Sequence, residues 1–177
     1  FHILEQRGII TSQQGQGRFL REIPISQLGE DKQEEMSKNL ERYSLYEAYE
    51  VRQVLETKAM DLIVRNATDS DLDEIETAYQ TMLLRFAETN TTTGEFELHQ
   101  LYAKKTGSVF MEQTLNIVLS TILEMMHTTS HNVMDMHQVE EEKADHRRII
   151  DALHKRDSSA AQQAMYDHIQ HTLDILQ

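Results

Sequence analysis

The sequence predicts an all-α protein, an antiparallel bundle of about six helices preceded by a small β-hairpin. Three observations predict it. One Pro and 6 Gly in 177 residues leave long stretches free of helix breakers. From Tyr43 onward, apolar residues recur with a helical period in segment after segment. The polar interruptions between those segments are short, which makes successive helices antiparallel neighbours. A hydrophobic share of 39% in this length permits one ordinary domain with a sizeable core and a small appendage.

Residues 1–7 read as the end of a helix stopped by Gly8, residues 9–11 as a short strand, 13–17 as a glycine-bearing turn and 18–20 as the returning strand. Because the chain opens at Phe1, apparently midway through that helix, it is expected to be a fragment of something longer. From 21 to about 42 the sequence is polar and charged around Pro24 and Gly29, with one short helix over 32–39, which suits a linker. The expected boundaries are therefore 1–22, 23–42 and 43–177. A helix over 43–66 carries Leu45, Ala48, Tyr49, Arg52, Leu55 and Ala59 on one stripe. Thr68 followed by Asp71 is a capping-box variant opening the next helix, where Leu72, Ile75, Tyr79, Met82 and Phe86 keep the period until a polar run over 88–93. A third helix, 93–105, ends at Thr106-Gly107. The fourth, 108–127, is apolar enough, through Leu115, Ile117, Val118, Leu119, Ile122 and Leu123, to be central. The fifth spans 134–155 and the sixth 158–176, with a turn at Arg156-Asp157.

Composition excludes several functions. A net charge of −13 makes the chain a poor binder of phosphate backbones by its own field, so any nucleic-acid contact must come from a local patch or from residues not present here. Zero Cys removes disulfides, thiolate zinc sites and Cys nucleophiles, and is compatible with a reducing cytoplasm. No apolar run approaches ~18 residues and no signal-peptide pattern opens the chain, so the expectation is a cytoplasmic protein without a membrane partner. There is no phosphate-binding glycine loop, no serine-nucleophile elbow, no His-Glu-x-x-His helix and no paired Glu-x-x-His of a di-iron bundle.

What remains is a constellation of Glu95, His99, His146 and His168. Glu95 and His99 are four apart and share a helical face. His146 and His168 lie about 10 residues before and about 11 after the Arg156-Asp157 turn, so at ~1.5 Å per residue they stand at one level on adjacent antiparallel helices. Ile149, Ile150 and Leu153 share the face of His146, and Ala161, Ala164, Met165 and Thr172 that of His168, so both point inward. One inward His is more often a satisfied core residue than a ligand; three at matched heights with a carboxylate suit a metal. Zinc, nickel, iron and manganese all accept such donors, and the residues do not choose among them. Asp145 and Asp167 each precede a proposed ligand but point about 100° away from it on the helix. Among the other histidines His171 is the strongest spare, three residues from His168, whereas His2, His127, His131, His137 and His154 read as terminal, loop-flanking or solvated. Arg52 on an apolar stripe needs an anionic partner, either Glu56 one turn along or the carboxylate of a bound ligand. Arg147 and Arg148 read as a solvated face. Hydrolysis at such a metal would need an open coordination position and a nearby base, and no base stands out.

The chain resembles FadR-type members of the GntR transcription regulators, whose carboxy-terminal part is the FCD effector-binding domain. Leu4 through Ile10 and Gly15 through Leu20 resemble the end of that family's winged helix-turn-helix and its wing. Tyr46-Glu47 through Glu56 resembles the opening helix of the effector domain. Glu95 to His99, Thr106-Gly107, His146 through Ile150, Ala152, Asp157, Ala161, Met165 and His168 follow its metal-site pattern. The resemblance implies a cytoplasmic homodimer with an FCD-like bundle. Residues 1–22 become the end of a DNA-binding domain, whose recognition helix would precede Phe1, with Gln16, Gly17 and Arg18 as the DNA-contacting wing. Residues 43–177 become the effector and metal-binding domain, with Glu95, His99, His146 and His168 as metal ligands and Arg52 as effector anchor. Two positions depart from the pattern. Glu95 stands where the family usually has Asp, which changes the reach to the metal, and Ser108 stands where Asn usually follows the Thr-Gly.

The expected function is thus a transcriptional regulator, not an enzyme. It would bind operator DNA through its mostly absent amino-terminal domain, a divalent metal (zinc ahead of nickel, manganese or iron) and a small organic-acid or sugar-acid effector. The alternative is a metal-dependent hydrolase or lyase using the same His/Glu site.

Overall fold

The computed structural model describes residues 10–13, 17–20, 30–89, 94–128 and 136–176, with side chains over 43–88, 94–126 and 140–176. The helix end expected over 1–7, Gly8, Pro24, His2, His131 and the polar run from 90 to 93 lie outside the described residues. Two compact units divide the chain, 1–40 and 41–177. In the first, strand β1 (Ile10–Gln13) pairs antiparallel with β2 (Gly17–Leu20), Ile10 opposite Leu20 and Gln13 opposite Gly17. Gly17 and Arg18 therefore open β2, while Gln16 lies outside the described residues.

The rest of the described chain is helical. Helix α1 (Glu30–Asn66) begins well before the expected position 43, so the stretch read as linker over 23–42 is helical from Glu30. The physical reason is propensity without periodicity. No Gly or Pro interrupts residues 30–66, and Glu, Lys, Gln, Met and Leu all favour a helix even where no apolar stripe announces one. Helix α2 (Asp69–Thr89) is opened by the expected box: the Thr68 amide donates to Asp71 Oδ2 at 2.8 Å and the Asp71 amide to Thr68 Oγ1 at 3.2 Å. Helices α3 (Glu95–Lys105), α4 (Val109–Thr128), α5 (Met136–His154) and α6 (Ser158–Leu176) follow. The pairs α5 with α6, α3 with α4, α2 with α3 and α2 with α5 pack together. Their shared core is apolar and closed, built on Met60, Ile63, Ile75, Tyr102, Ile149 and Met165 among others. Among the described residues no helix is long and apolar enough to cross a membrane.

Helix α4 is not central as its composition suggested. Leu115, Leu119 and Ile122 are buried, but Ile117 is 69% and Phe110 81% exposed. An apolar helix with one packed face leaves its other apolar residues in solvent, and composition alone does not say how many faces are covered.

The α5–α6 turn fixes the level at which these helices meet. Asp157 donates its amide to the Ala152 carbonyl at 3.0 Å and Arg156 to the Leu153 carbonyl at 2.9 Å, the paired bonds of a Schellman motif, with Arg156 at φ 54°. Asp157 then caps α6 by accepting the Ala160 amide at 3.0 Å. Glycine is the usual residue at such a left-handed position. Arg156 holds it because its guanidinium donates to the carbonyls of Val64 (3.3 Å) and Ala67 (2.6 Å) and to Asp69 at 2.7 Å, tying the turn to the end of α1. Arg156→Gly relieves the backbone but removes these bonds, so the expected result in urea unfolding is a net loss of about 1 kcal/mol. Arg156→Ala should cost about 1 kcal/mol more, since it keeps the left-handed strain; a glycine variant more stable than the parent contradicts the clamp.

Candidate metal centre

Each element delivers its donors for a local reason. Helix α3 starts abruptly because Gly94, at φ 117°, turns the chain through a backbone region closed to most side chains. Glu95 is thereby its first residue, with His99 one turn on. The other end is set by Thr106, Gly107 at φ 67° and Ser108. Ser108 Oγ accepts the Met111 amide at 3.3 Å and so caps α4, which is the role taken here by the residue that departs from the family's Asn. Asn66 donates to the Thr106 carbonyl at 2.7 Å, joining this turn to α1.

The structure brings Glu95, His99, His146 and His168 together. All four are buried, and one donor atom from each lies within 4.8 Å of the others. His168 Nε2 is 3.2 Å from His99 Nε2, which is 3.6 Å from Glu95 Oε1. The rings of His146 and His168 are 4.5 Å apart between centroids, so the two helices do present them at one level. Donors at about 2.05 Å from a tetrahedral zinc stand about 3.3 Å apart, which these separations approach. The buried Nε2 of His146 has no hydrogen-bond partner, an orphan that a cation would satisfy. The residues present therefore fit a divalent ion.

A second layer orients the first, and most of it was not visible as such in the sequence. Arg52, 1% exposed, donates from Nε to Glu56 Oε1 at 2.6 Å. The other oxygen of Glu56 accepts a short hydrogen bond from His99 Nδ1. That bond puts the His99 proton on Nδ1 and turns the Nε2 lone pair toward the centre, the carboxylate–histidine arrangement that orients metal ligands. Arg52 thus finds the non-ligand partner expected for it, yet its Nη2 is unpartnered and 3.5 Å from Glu95 Oε1. Glu142, four residues before His146, is buried 3.4 Å from His168 Nδ1. Asp145 is buried too, although its offset along the helix did not by itself make it a neighbour of the donors. It binds Arg148 closely and His171 Nδ1 at 2.8 Å, and lies 3.8 Å from His168 Nδ1. His171, the spare histidine, serves Asp145 at the rim and does not join the four. Arg147 is not merely solvated: it reaches Glu76 at 2.8 Å and Asp151 at 2.7 Å. Tyr102 places its hydroxyl 3.5 Å from His146 Nδ1.

The electrostatics divide the three rings. Burial, reinforced by Arg52 and His168, pushes the pKa of His99 well below the ordinary imidazole value, and burial with its cationic neighbours does the same to His146. Burial also opposes charge on His168, but the neighbouring carboxylates Glu142, Asp145 and Glu95 outweigh it and raise its pKa. Burial raises Glu56 above the usual carboxylate range despite Arg52, and raises Glu142 to about 7. His99 and His146 thus lose their protons readily and can offer lone pairs, whereas His168 holds its proton to higher pH than they do, and a metal would have to displace it.

Residues 47–171 match the FCD domain family. The chain belongs to the FCD family. Over 178 residues this FCD chain is 24% identical to the HTH-type transcriptional regulator LutR of Bacillus subtilis (strain 168), covering 98% of the chain and 80% of LutR. Its fold is similar to that of the Streptococcus agalactiae GntR protein, at a TM-score of 0.63 and 20% identity over 98% of this chain and 78% of that one. It is also similar to E. coli McbR/YncC, at a TM-score of 0.62 and 14% identity over 99% and 76%. The FCD family is the effector-binding module of GntR-type transcription regulators, not an enzyme family, which sets aside the hydrolase or lyase alternative.

In the FCD chain kept free of metal, His168 should remain protonated at pH values where His99 and His146 have already lost their protons. Ring-nitrogen NMR shifts followed through a pH titration check this order; a His168 that titrates first contradicts it.

Proposed function

We propose that this FCD chain is the sensing part of a cytoplasmic, homodimeric, DNA-binding transcription regulator of the GntR type. Glu95, His99, His146 and His168 hold one divalent ion, zinc ahead of nickel, manganese or iron, and the ion with Arg52 anchors the carboxylate of a small organic or sugar acid. The closed set of four buried donors, with His99 oriented by Glu56, carries this reading. The ion supplies a fixed Lewis-acid anchor; the effector, by binding one arrangement of the dimer better than another, shifts their populations and with them the affinity for operator DNA. The hairpin of β1 and β2, within residues 1–22, is assigned as the wing, with Gln16, Gly17 and Arg18 toward the DNA phosphates. Homodimerisation is supported by the large apolar side chains left on the outer faces of α4 and α1, Phe110, Ile117 and Val54.

Elemental analysis should find about one divalent ion per chain, and His146→Ala should abolish it. Glu56→Gln should weaken binding about tenfold to a hundredfold while leaving the four donors in place. Because the folded-state pKa of His168 is raised, protons compete with the ion up to that value, so affinity should fall as pH drops through it. Competition with a chelating dye across pH reads the sign. Absence of stoichiometric metal removes the proposed anchor.

Ile117→Arg should shift the chain toward monomer in sedimentation velocity without unfolding it, because Ile117 is exposed within one chain. In the full-length regulator, gel shifts at moderate salt should show sequence-specific operator binding that changes when the effector is added.

A further inference from the structure

Two buried polar atoms face each other beside the four donors, and neither has a hydrogen-bond partner: Glu142 Oε2 and His168 Nδ1, 3.4 Å apart. A donor and an acceptor left unpaired away from water each cost free energy, so the pair gains by closing. The other two rings show what closes it. His99 gives its Nδ1 proton to Glu56, and His146 has Nδ1 3.5 Å from the Tyr102 hydroxyl with its Nε2 unpartnered among the donors. His168 Nε2 lies 3.2 Å from His99 Nε2, so it faces inward as well. A neutral ring that commits Nε2 to an ion carries its proton on Nδ1, and that proton needs an acceptor outside the donor set. Two carboxylates are near enough to serve His168. Asp145 is the farther, at 3.8 Å, and its oxygens are already taken by Arg148 and His171. Glu142 is the nearer, and its Oε2 is unpartnered.

We infer that Glu142 is the positioning residue of His168: it accepts the Nδ1 proton of the ring, holds Nε2 toward the ion and strengthens His168 as a donor. This rests on the ion proposed for the four donors. Glu142 lies outside the set whose donor atoms gather within 4.8 Å of one another, so its place is behind a ligand and not among the ligands. Arg52 and a divalent ion together match the charges of Glu56, Glu95 and Glu142, so with the ion bound the Glu142 carboxylate is balanced in its ionised form and accepts strongly. Helix α5 then supplies His146 and, one turn earlier on the same face, the residue that aims the ligand of α6.

The test measures zinc affinity by chelator competition in the parent chain and in Glu142→Ala, Glu142→Gln and Asp145→Asn. A parent that takes up no zinc overturns the ion and this inference together; every other outcome leaves the ion standing. Glu142→Ala should weaken zinc about tenfold to a hundredfold with its stoichiometry kept. Glu142→Gln removes the same charge but keeps an acceptor oxygen, so it should recover part of that loss. Equal losses in the two variants reduce Glu142 to a distant negative charge and overturn the inference. Proton and nitrogen NMR of the zinc-loaded chain gives a readout that a purely structural role would not move. The His168 Nδ1–H resonance should lie far downfield in the parent, stay there in Asp145→Asn and move upfield in Glu142→Ala; a shift in Asp145→Asn alone gives the role to Asp145 and overturns the inference. Cobalt(II) in place of zinc should absorb alike in the parent and in Glu142→Gln, and a changed coordination number there makes Glu142 a ligand, which also overturns it.

Discussion

A guanidinium that cannot lose its proton, buried at 1% exposure, is the constraint around which the helical unit is organised. Arg52 demands an ionised partner, Glu56 supplies it, and the remaining lone pairs of Glu56 are taken by His99. Removing either end would strand a charge in a closed core, which is far costlier than losing a surface pair. The relay therefore locks α1 to α3 and sets the ring plane of His99 together. Around it the apolar residues close a shell, so the charges of the polar cluster act through little intervening water.

Much of this was legible in the sequence, and for identifiable reasons. The four donors follow from helical spacing and from equal distances to a turn, both of which are properties of backbone geometry. The Thr68–Asp71 cap and the Arg156-Asp157 turn were legible because their chemistry is local. Glu56 was foreseen only as the neutralising partner of Arg52; its hold on His99 needs two helices to meet, and spacing along one helix says nothing about which partner it faces. The same limit hid Glu142 and Asp145, each of which acts across to α6. The early start of α1 and the exposed face of α4 were missed for opposite reasons. One is helical without an apolar stripe, and the other is apolar on faces that the chain does not cover.

The two departures from the family pattern now have different weights. Ser108 is a local substitution, one capping side chain for another, and its bond to the Met111 amide keeps the α3–α4 turn supported. Glu95 is less local. Its longer arm carries the carboxylate to within 3.6 Å of His99 Nε2 and 3.5 Å of Arg52 Nη2, so it serves both the donor set and the buried cation.

Glu95 is also the first residue of its helix, immediately after the left-handed Gly94. First turns fray, opening and closing faster and more often than the middle of a helix. In the proposed reading, a donor placed there ties the closing of that turn to occupancy of the centre. Amide hydrogen exchange at the start of α3 would then be governed by what the centre holds, and this short stretch of backbone would report it.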